Sequence, residues 1–463
     1  MKYLKDLILL GRNRLCKGDD MFLPRFLGIE AIPNARNLIM KFLVVILIIS
    51  IIGNLSSTFF VLYAYDKIGP TQASIIISFT LLIQLLTDYP SGSLGDYIGQ
   101  RWVLSIAFAC YAVSYWLLSF STTLPEFFVY AFFFGLANAQ ASGTLGTWLD
   151  NNYKSVVGDQ DPDRKIYGFF NARIGSIVRI TMAFTFTIGG FIATSYSREL
   201  VFFIQAILSG FLIFLIIFLV QDVKSNGIEF KEDTPSTEPS SENFFTFLTG
   251  GFKFLVSSKS AFFFLMGMSI IYAALNVWGS LILFPIYFGY TGTDGLASLF
   301  RTIMFFVGIP IGIYMAKVSQ KFSNSKLPLF DFLITFTYYL PFVILLAIIP
   351  PVNALNLPGA ILTALLLTIG VNCIYDIAET LRGRTVVDLV PSNFRNSVYS
   401  LIPTLTSIIG IPTLPIAGSL IEQYGLNAGT LVPLFLSFIG ATCIYLSLYF
   451  GKKKPDRHEQ NTL

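Results

Sequence analysis

Charge is what this sequence has least of. Only 13% of its 463 residues are Asp, Glu, Lys or Arg, against about 25% in an ordinary soluble domain. The solvating surface that a water-exposed protein of this length needs is therefore missing. Histidine is nearly absent: the one copy, His458, lies in a polar tail, which excludes histidine-based catalysis in the apolar body. The 4 cysteines (Cys16, Cys110, Cys373, Cys443) have no ligand spacing. Three of them sit in apolar runs, where a thiol behaves as a small hydrophobe, so neither a disulfide framework nor a metal site follows. No G-x-x-x-x-G-K-[ST] loop occurs, which disfavours ATP-driven work, and no cofactor is implied. The opening MKYLKDLILLGRNRLCKGDD has too short an apolar stretch, and no small-residue cleavage site, for a signal peptide. It reads either as a basic, partly amphipathic segment on the cytoplasmic membrane surface or as a frayed tail.

Apolar length fills the space that charge leaves. The chain is 54% hydrophobic, with 46 Phe and 22 Tyr, and its mean hydropathy is +0.68. Apolar runs near the roughly 20 residues needed to cross hydrocarbon give twelve candidate spans. Six fall near 39–65, 70–89, 102–120, 126–149, 166–194 and 200–220. Six more fall near 261–289, 294–316, 329–349, 359–381, 398–421 and 428–450. Between the sets, DVKSNGIEFKEDTPSTEPSSEN cannot pack a core and reads as a flexible linker, and FFTFLTGGFKFL after it as an interfacial helix. The chain thus divides into a cytoplasmic N-terminal segment (1–37), a six-helix half (38–221), a linker (222–258), a second six-helix half (259–450) and a tail (451–463). Two sets of six around a polar linker are the pattern of a duplicated transporter. With both termini cytoplasmic, about 26 of the 31 Lys and Arg fall on that side, and only Lys67 and Arg198 in the opposite loops, as the positive-inside rule requires. The net charge of +4 reports topology, not nucleic-acid binding.

Between spans two and three the chain reads G-S-L-G-D-Y-I-G-Q-R, with Gly92, Gly95, Asp96, Gly99 and Arg101. Glycines permit a tight turn and close helix approach, and a carboxylate suits a helix N-terminus. Spacing, acid, base and position together resemble the signature loop of the major facilitator superfamily, over roughly residues 38–450. Resemblance implies an all-α membrane protein of twelve transmembrane helices in two halves. It also implies that Asp96 meets the start of span eleven and that Arg101 reaches Asp150 at the cytoplasmic end of span four. P-S-N-F-R at 391–395 is similar to the family's entry to span eleven. The second-half copy of the loop is degenerate, with Ala316, Ser319 and Lys321 at its acid, glycine and arginine positions. By internal symmetry Lys321 pairs with Glu379. Two departures weigh against drug–proton antiport: Ala131 stands where those antiporters carry an arginine before Gly135, and Thr187–Ile192 lacks their Gly-Pro pair.

Charge at bilayer depth costs at least about 2.5–3.5 kcal/mol, so it faces a cavity or a partner. Arg179 lies about 20 Å into span five at 1.5 Å per residue, with Arg173 nearer the cytoplasm. Each either binds an anionic ligand or sits in a structural ion pair, for Arg179 with Asp376. Asp376 and Glu379 share a face of span ten, and Asp376 is read as a proton-coupling group or a gate anchor. Arg301 lies nearer the outer face and either snorkels or serves the site. By resemblance, spans one, four, seven and ten line the cavity, offering Asn54, Ser57, Asn138, Gln140, Asn276, Trp278, Asn372 and Tyr375. These amides either contact ligand or bond between helices. The expectation is a monomeric plasma-membrane secondary transporter, not an enzyme, that works by alternating access. Its partners are a small organic solute, with some preference for an anion, the lipid bilayer and protons. The alternatives are a multidrug efflux antiporter and a non-transporting sensor or scaffold on the same fold.

Overall fold

The structure is a computed structural model and describes residues 22–30, 32–221, 258–351, 358–390 and 395–452. The expected interfacial helix after the linker lies outside them. Among the described residues every regular element is helical. In the first half, span one is Arg36–Asn54 continued by Phe60–Ile68, span two is Pro70–Ile98 and span three is Gln100–Leu118. Span four is Leu124–Ala141 continued by Thr144–Val157, span five is Lys165–Ser195 and span six is Arg198–Leu219. In the second half, span seven is Lys259–Thr291, span eight Asp294–Ser319 and span nine Asn324–Ile348. Spans ten, eleven and twelve are Pro358–Leu389, Arg395–Tyr424 and Leu426–Lys452.

Eleven of these helices are long and apolar enough to cross a membrane. Span four falls short because Glu126, Asn138 and Gln140 dilute its phenylalanines. Span one starts and span twelve finishes at one end of the bundle, the near end; the opposite end is the far end. Helix starts at the far end are capped as their sequences dictate. Glu126 accepts the Thr123 N–H at 2.8 Å to close a capping box, and Ser197 accepts the Leu200 N–H at 3.1 Å, which satisfies N–H groups that a helix start leaves free. The run from Pro90 to Ile98, read from sequence as a loop, is instead the last turns of span two. The chain reverses at one residue, Gly99, whose φ of 92° only glycine adopts without strain.

Within each half the spans pack on apolar side chains, while Phe211, Phe214 and Phe218 of span six point outward. The halves meet along two seams, span two against eleven and span five against eight. Small residues allow the approach: a Cβ at Gly418 would fall 2.1 Å from Ser74 Oγ, and one at Gly190 2.2 Å from Ser298 Oγ. The described residues of the N-terminal segment, from 22 onward, are built into the near end of the first half, with Leu27 and Ile29 buried. Arg173 lies over the Phe26 ring at 5.0 Å and the Phe169 ring at 4.0 Å.

Candidate functional site

Spans one and seven, which hold equivalent places in the two halves, both lose regular α-helix at the same depth. Span one breaks at residues 55–59. Span seven widens into a π turn, Trp278–Ile282, a distortion that recurs at functional sites. Irregular backbone at membrane depth is tolerated where it lines a cavity, and a cavity of about 360 Å³ lies between these two breaks. Its wall takes Asn54, Ser56 and Ser57 from span one, Gly279 and Ser280 from span seven, and Arg301 from span eight. Aromatic rings, among them Tyr115, Tyr130, Phe134, Phe186, Phe284 and Phe305, form much of the rest.

Polar bonds between the halves gather on the far side of this cavity. Thr58 and Ser298 share a hydrogen bond at 2.6 Å. The Tyr65 hydroxyl donates to the carbonyl of Leu281 in the π turn at 2.9 Å, which ties span one to the distortion itself. Thr302 bonds Thr187 at 2.7 Å and donates to the Ala183 carbonyl at 2.6 Å. Farther out, Arg198 makes a two-pronged contact with Asp294 at 2.8 and 3.0 Å and reaches Asp66 at 2.5 Å. On the near side, Arg179 of span five faces Asp376 of span ten within electrostatic reach, but no ion pair closes the gap. Met182, one turn from Arg179 on the same face, lines the cavity, so Arg179 stands at the near mouth rather than in the chamber.

The residues singled out from sequence separate into three groups. Asn54 and Ser57 line the cavity, the Asn54 amide donating to the Ser50 carbonyl at 2.8 Å. Asn138 accepts from the Tyr111 hydroxyl at 2.5 Å, and Asn276 from Ser280 at 3.0 Å. Gln140 Oε1 is buried without a hydrogen bond, and Asn372 lies beside Gly308 of span eight. Two readings need correction. Trp278 turns away from the cavity, because the π turn aims its ring at Tyr338, Tyr339 and Phe342 of span nine, with centroids 5.1 to 5.5 Å away. Arg173 packs on the N-terminal helix, its guanidinium over the faces of Phe26 and Phe169.

Two of the expected near-end pairs, Arg101–Asp150 and Lys321–Glu379, are not formed. Asp150 pairs with Arg164 at 2.7 Å rather than with Arg101, since the chain after span four folds back to bring Arg164 alongside. Glu379 is taken by Arg382 at 2.8 Å and by the Tyr272 hydroxyl at 2.7 Å, and Lys321 stands exposed apart from them. Arg382 also pairs with the buried Asp331 and lies over the Tyr375 ring at 5.4 Å. The backbone of Gly92, Gly95, Asp96 and Gly99 runs as described above, while the Asp96 side chain and its expected partner lie outside the described residues.

The most distinctive cavity residue is Arg301. It does not snorkel. Its guanidinium lies over Phe284 at 5.7 Å and Phe305 at 4.8 Å, and its Nε is buried without a hydrogen bond. Its intramembrane charge was visible in the sequence; its direction was not. Tyr115 and Tyr130 carried no signal that separated them from packing aromatics.

The chain belongs to the Major Facilitator Superfamily, whose family profile matches residues 42–411. It is similar in fold to the nucleoside transporter NupG, with a TM-score of 0.64 at 15% identity over 90% of this chain and 99% of that one. A POT family transporter in complex with 5-aminolevulinic acid gives 0.61 at 15% over 91% and 98%. A D-xylose–proton symporter gives 0.58 at 12% over 90% and 97%. No curated protein matches at the level of sequence.

Proposed function

We propose that this protein is a secondary transporter that moves a small organic solute, preferentially an anionic one, by alternating access. The observation that carries this reading is the chamber of about 360 Å³ between the two halves, closed on its far side by reversible polar bonds. Hydroxyl pairs and an arginine–carboxylate latch can part without exposing a hydrophobic interface. Both termini lie in the cytoplasm of a cell with the protein in its plasma membrane, so the chamber faces the cytoplasm in this conformation, and a single chain suffices. Closing the near side draws Arg179 and Asp376 together as the far latch opens. Asp376 is the group assigned to proton coupling, because it is half-buried at the mouth that must close and faces an arginine of the opposite half.

Met182→Cys in a cysteine-free background tests this reading with a membrane-impermeant maleimide in reconstituted vesicles of known orientation. The thiol should react from the cytoplasmic side or the outer side, with solute shifting the balance. Simultaneous access from both sides describes a channel, and access that nothing changes describes a static scaffold; either result overturns the proposal. Asp376→Asn should abolish acid-driven uptake while solute exchange persists.

A further inference from the structure

Arg301 is anomalous in physical terms. A guanidinium stays charged at any accessible pH, and a charge at bilayer depth is placed where something compensates it. Other arginines of the second half obey this: Arg382 holds Asp331 and Glu379, and Arg384 donates to the Ser319 carbonyl at 3.2 Å. Arg301 has neither an acid nor a hydrogen bond among the described residues. It has two phenylalanine faces, Phe284 and Phe305, which hold the guanidinium plane in position while offering its N–H groups no acceptor. Those N–H groups border the chamber.

We propose that Arg301 is the recognition residue for an organic monocarboxylate with an apolar body, an inference that rests on the chamber being the solute site. The forked N–H groups of arginine match the two oxygens of a carboxylate. Among the described residues Arg301 is the only Lys or Arg in the chamber wall, so one negative charge balances it and a dianion is left undercompensated. Around it the wall is mostly aromatic and aliphatic, with Asn54, Ser56, Ser57, Ser280, Tyr115 and Tyr130 as its residues with polar groups, so the body of the ligand is largely apolar and carries only a few hydrogen-bonding groups. The volume lies near the lower limit of ordinary ligand pockets, about 300–1,000 Å³, which fits a small acid rather than a lipid. Arg179, the anion site favoured from sequence, becomes a mouth residue that the acid passes.

The test uses the full chain in nanodiscs and three acids, benzoate, 4-phenylbutyrate and octanoate, each beside its neutral amide. Binding is read by calorimetry and by the thermal midpoint. For at least one pair the acid should bind ten-fold or more tightly than the amide. Arg301→Gln should erase that preference while leaving amide binding in place, and Arg301→Lys should keep part of it. Ligand-free Arg301→Gln should melt at or above the wild-type midpoint, because an uncompensated charge has been removed; a structural arginine would give a lower one. Acids that bind no better than their amides, or not at all, overturn the proposal in wild-type protein alone, whatever the variant's folding. So does an acid preference that survives Arg301→Gln. Met182→Cys labelling of the same preparations separates the two readings. Acid preference without alternation removes transport and keeps the anion site; alternation without acid preference does the reverse.

Discussion

Arg382 and Asp331 have side chains 0% and 1% exposed and pair across spans ten and nine. Removing one partner of such a pair costs about 3–5 kcal/mol, whereas replacing both with apolar residues is often neutral. Asp331→Leu should therefore lower the thermal midpoint sharply, and adding Arg382→Met should restore most of it. Asp161, in the loop before span five, gives a prediction in pH. Burial alone would raise its carboxyl, but the N–H groups of Tyr167 and Ile166, at 2.9 and 3.1 Å, and the Tyr153 hydroxyl, at 2.8 Å, hold it below its ordinary value. A carboxyl depressed in the folded state adds stability that is complete above the unfolded value, about 3.9, and is lost as pH falls through the folded one. Asp161→Asn should thus melt lower than wild type at pH 7, and the gap should narrow on acidification below pH 4. Asp161 drew no notice in the sequence because a polar loop is full of such residues. Arg173, Arg179 and Arg301 were all conspicuous as intramembrane charges. What sequence did not carry was their direction, since lipid and a neighbouring helix are equally apolar and leave no amphipathic stripe to read.

Packing inside each half, like the seams between them, depends on how closely helices approach. A Cβ at Gly189 of span five would lie 1.7 Å from the carbonyl oxygen of Leu55, in the break of span one, whereas one at Gly175 of the same helix would meet nothing within 4 Å. Gly189→Ala should lower the thermal midpoint, overpacking costing about 1–3 kcal/mol. Gly175→Ala should leave it unchanged or raise it, since alanine is favoured over glycine in a helix by up to about 1 kcal/mol. The helices themselves were legible: each candidate span has its counterpart, because apolar length is a direct demand of the bilayer. The breaks were not. The π turn Thr335–Tyr339 contains no proline or glycine to announce it, and the Gly279 of Trp278–Ile282 is a residue that membrane helices often carry without a break. They are fixed by tertiary contact, Trp278 meeting Tyr338 and Tyr339 edge to face and Tyr65 bonding the Leu281 carbonyl. The chamber they border could therefore be anticipated from the family resemblance but not outlined residue by residue.

For the molecule as a whole, the far latch sets which end of the chamber is closed. Arg198 grips Asp294, whose side chain is 8% exposed, with two hydrogen bonds, and Asp66, which is 68% exposed, with one. These contacts join spans one, six and eight and so cross between the halves. An exposed ion pair contributes about 0–1 kcal/mol. A partly buried, two-pronged one leaves a desolvated arginine behind when it is broken and so costs more. As about 1.4 kcal/mol is a tenfold change in an equilibrium, Asp294→Asn should raise the far-open population by an order of magnitude, and Asp66→Asn by a few-fold at most. Labelling rates of Met182→Cys from the far side in each background measure this. Salt adds a second arm, since it screens exposed charges far more than buried ones. Raising ionic strength in wild type should reproduce the small Asp66→Asn effect and leave the Asp294 contribution nearly intact. If both substitutions act equally, or salt alone opens the far side fully, the latch is a surface ion pair and the hydroxyl bonds at Thr58, Ser298 and Thr302 hold the far end shut.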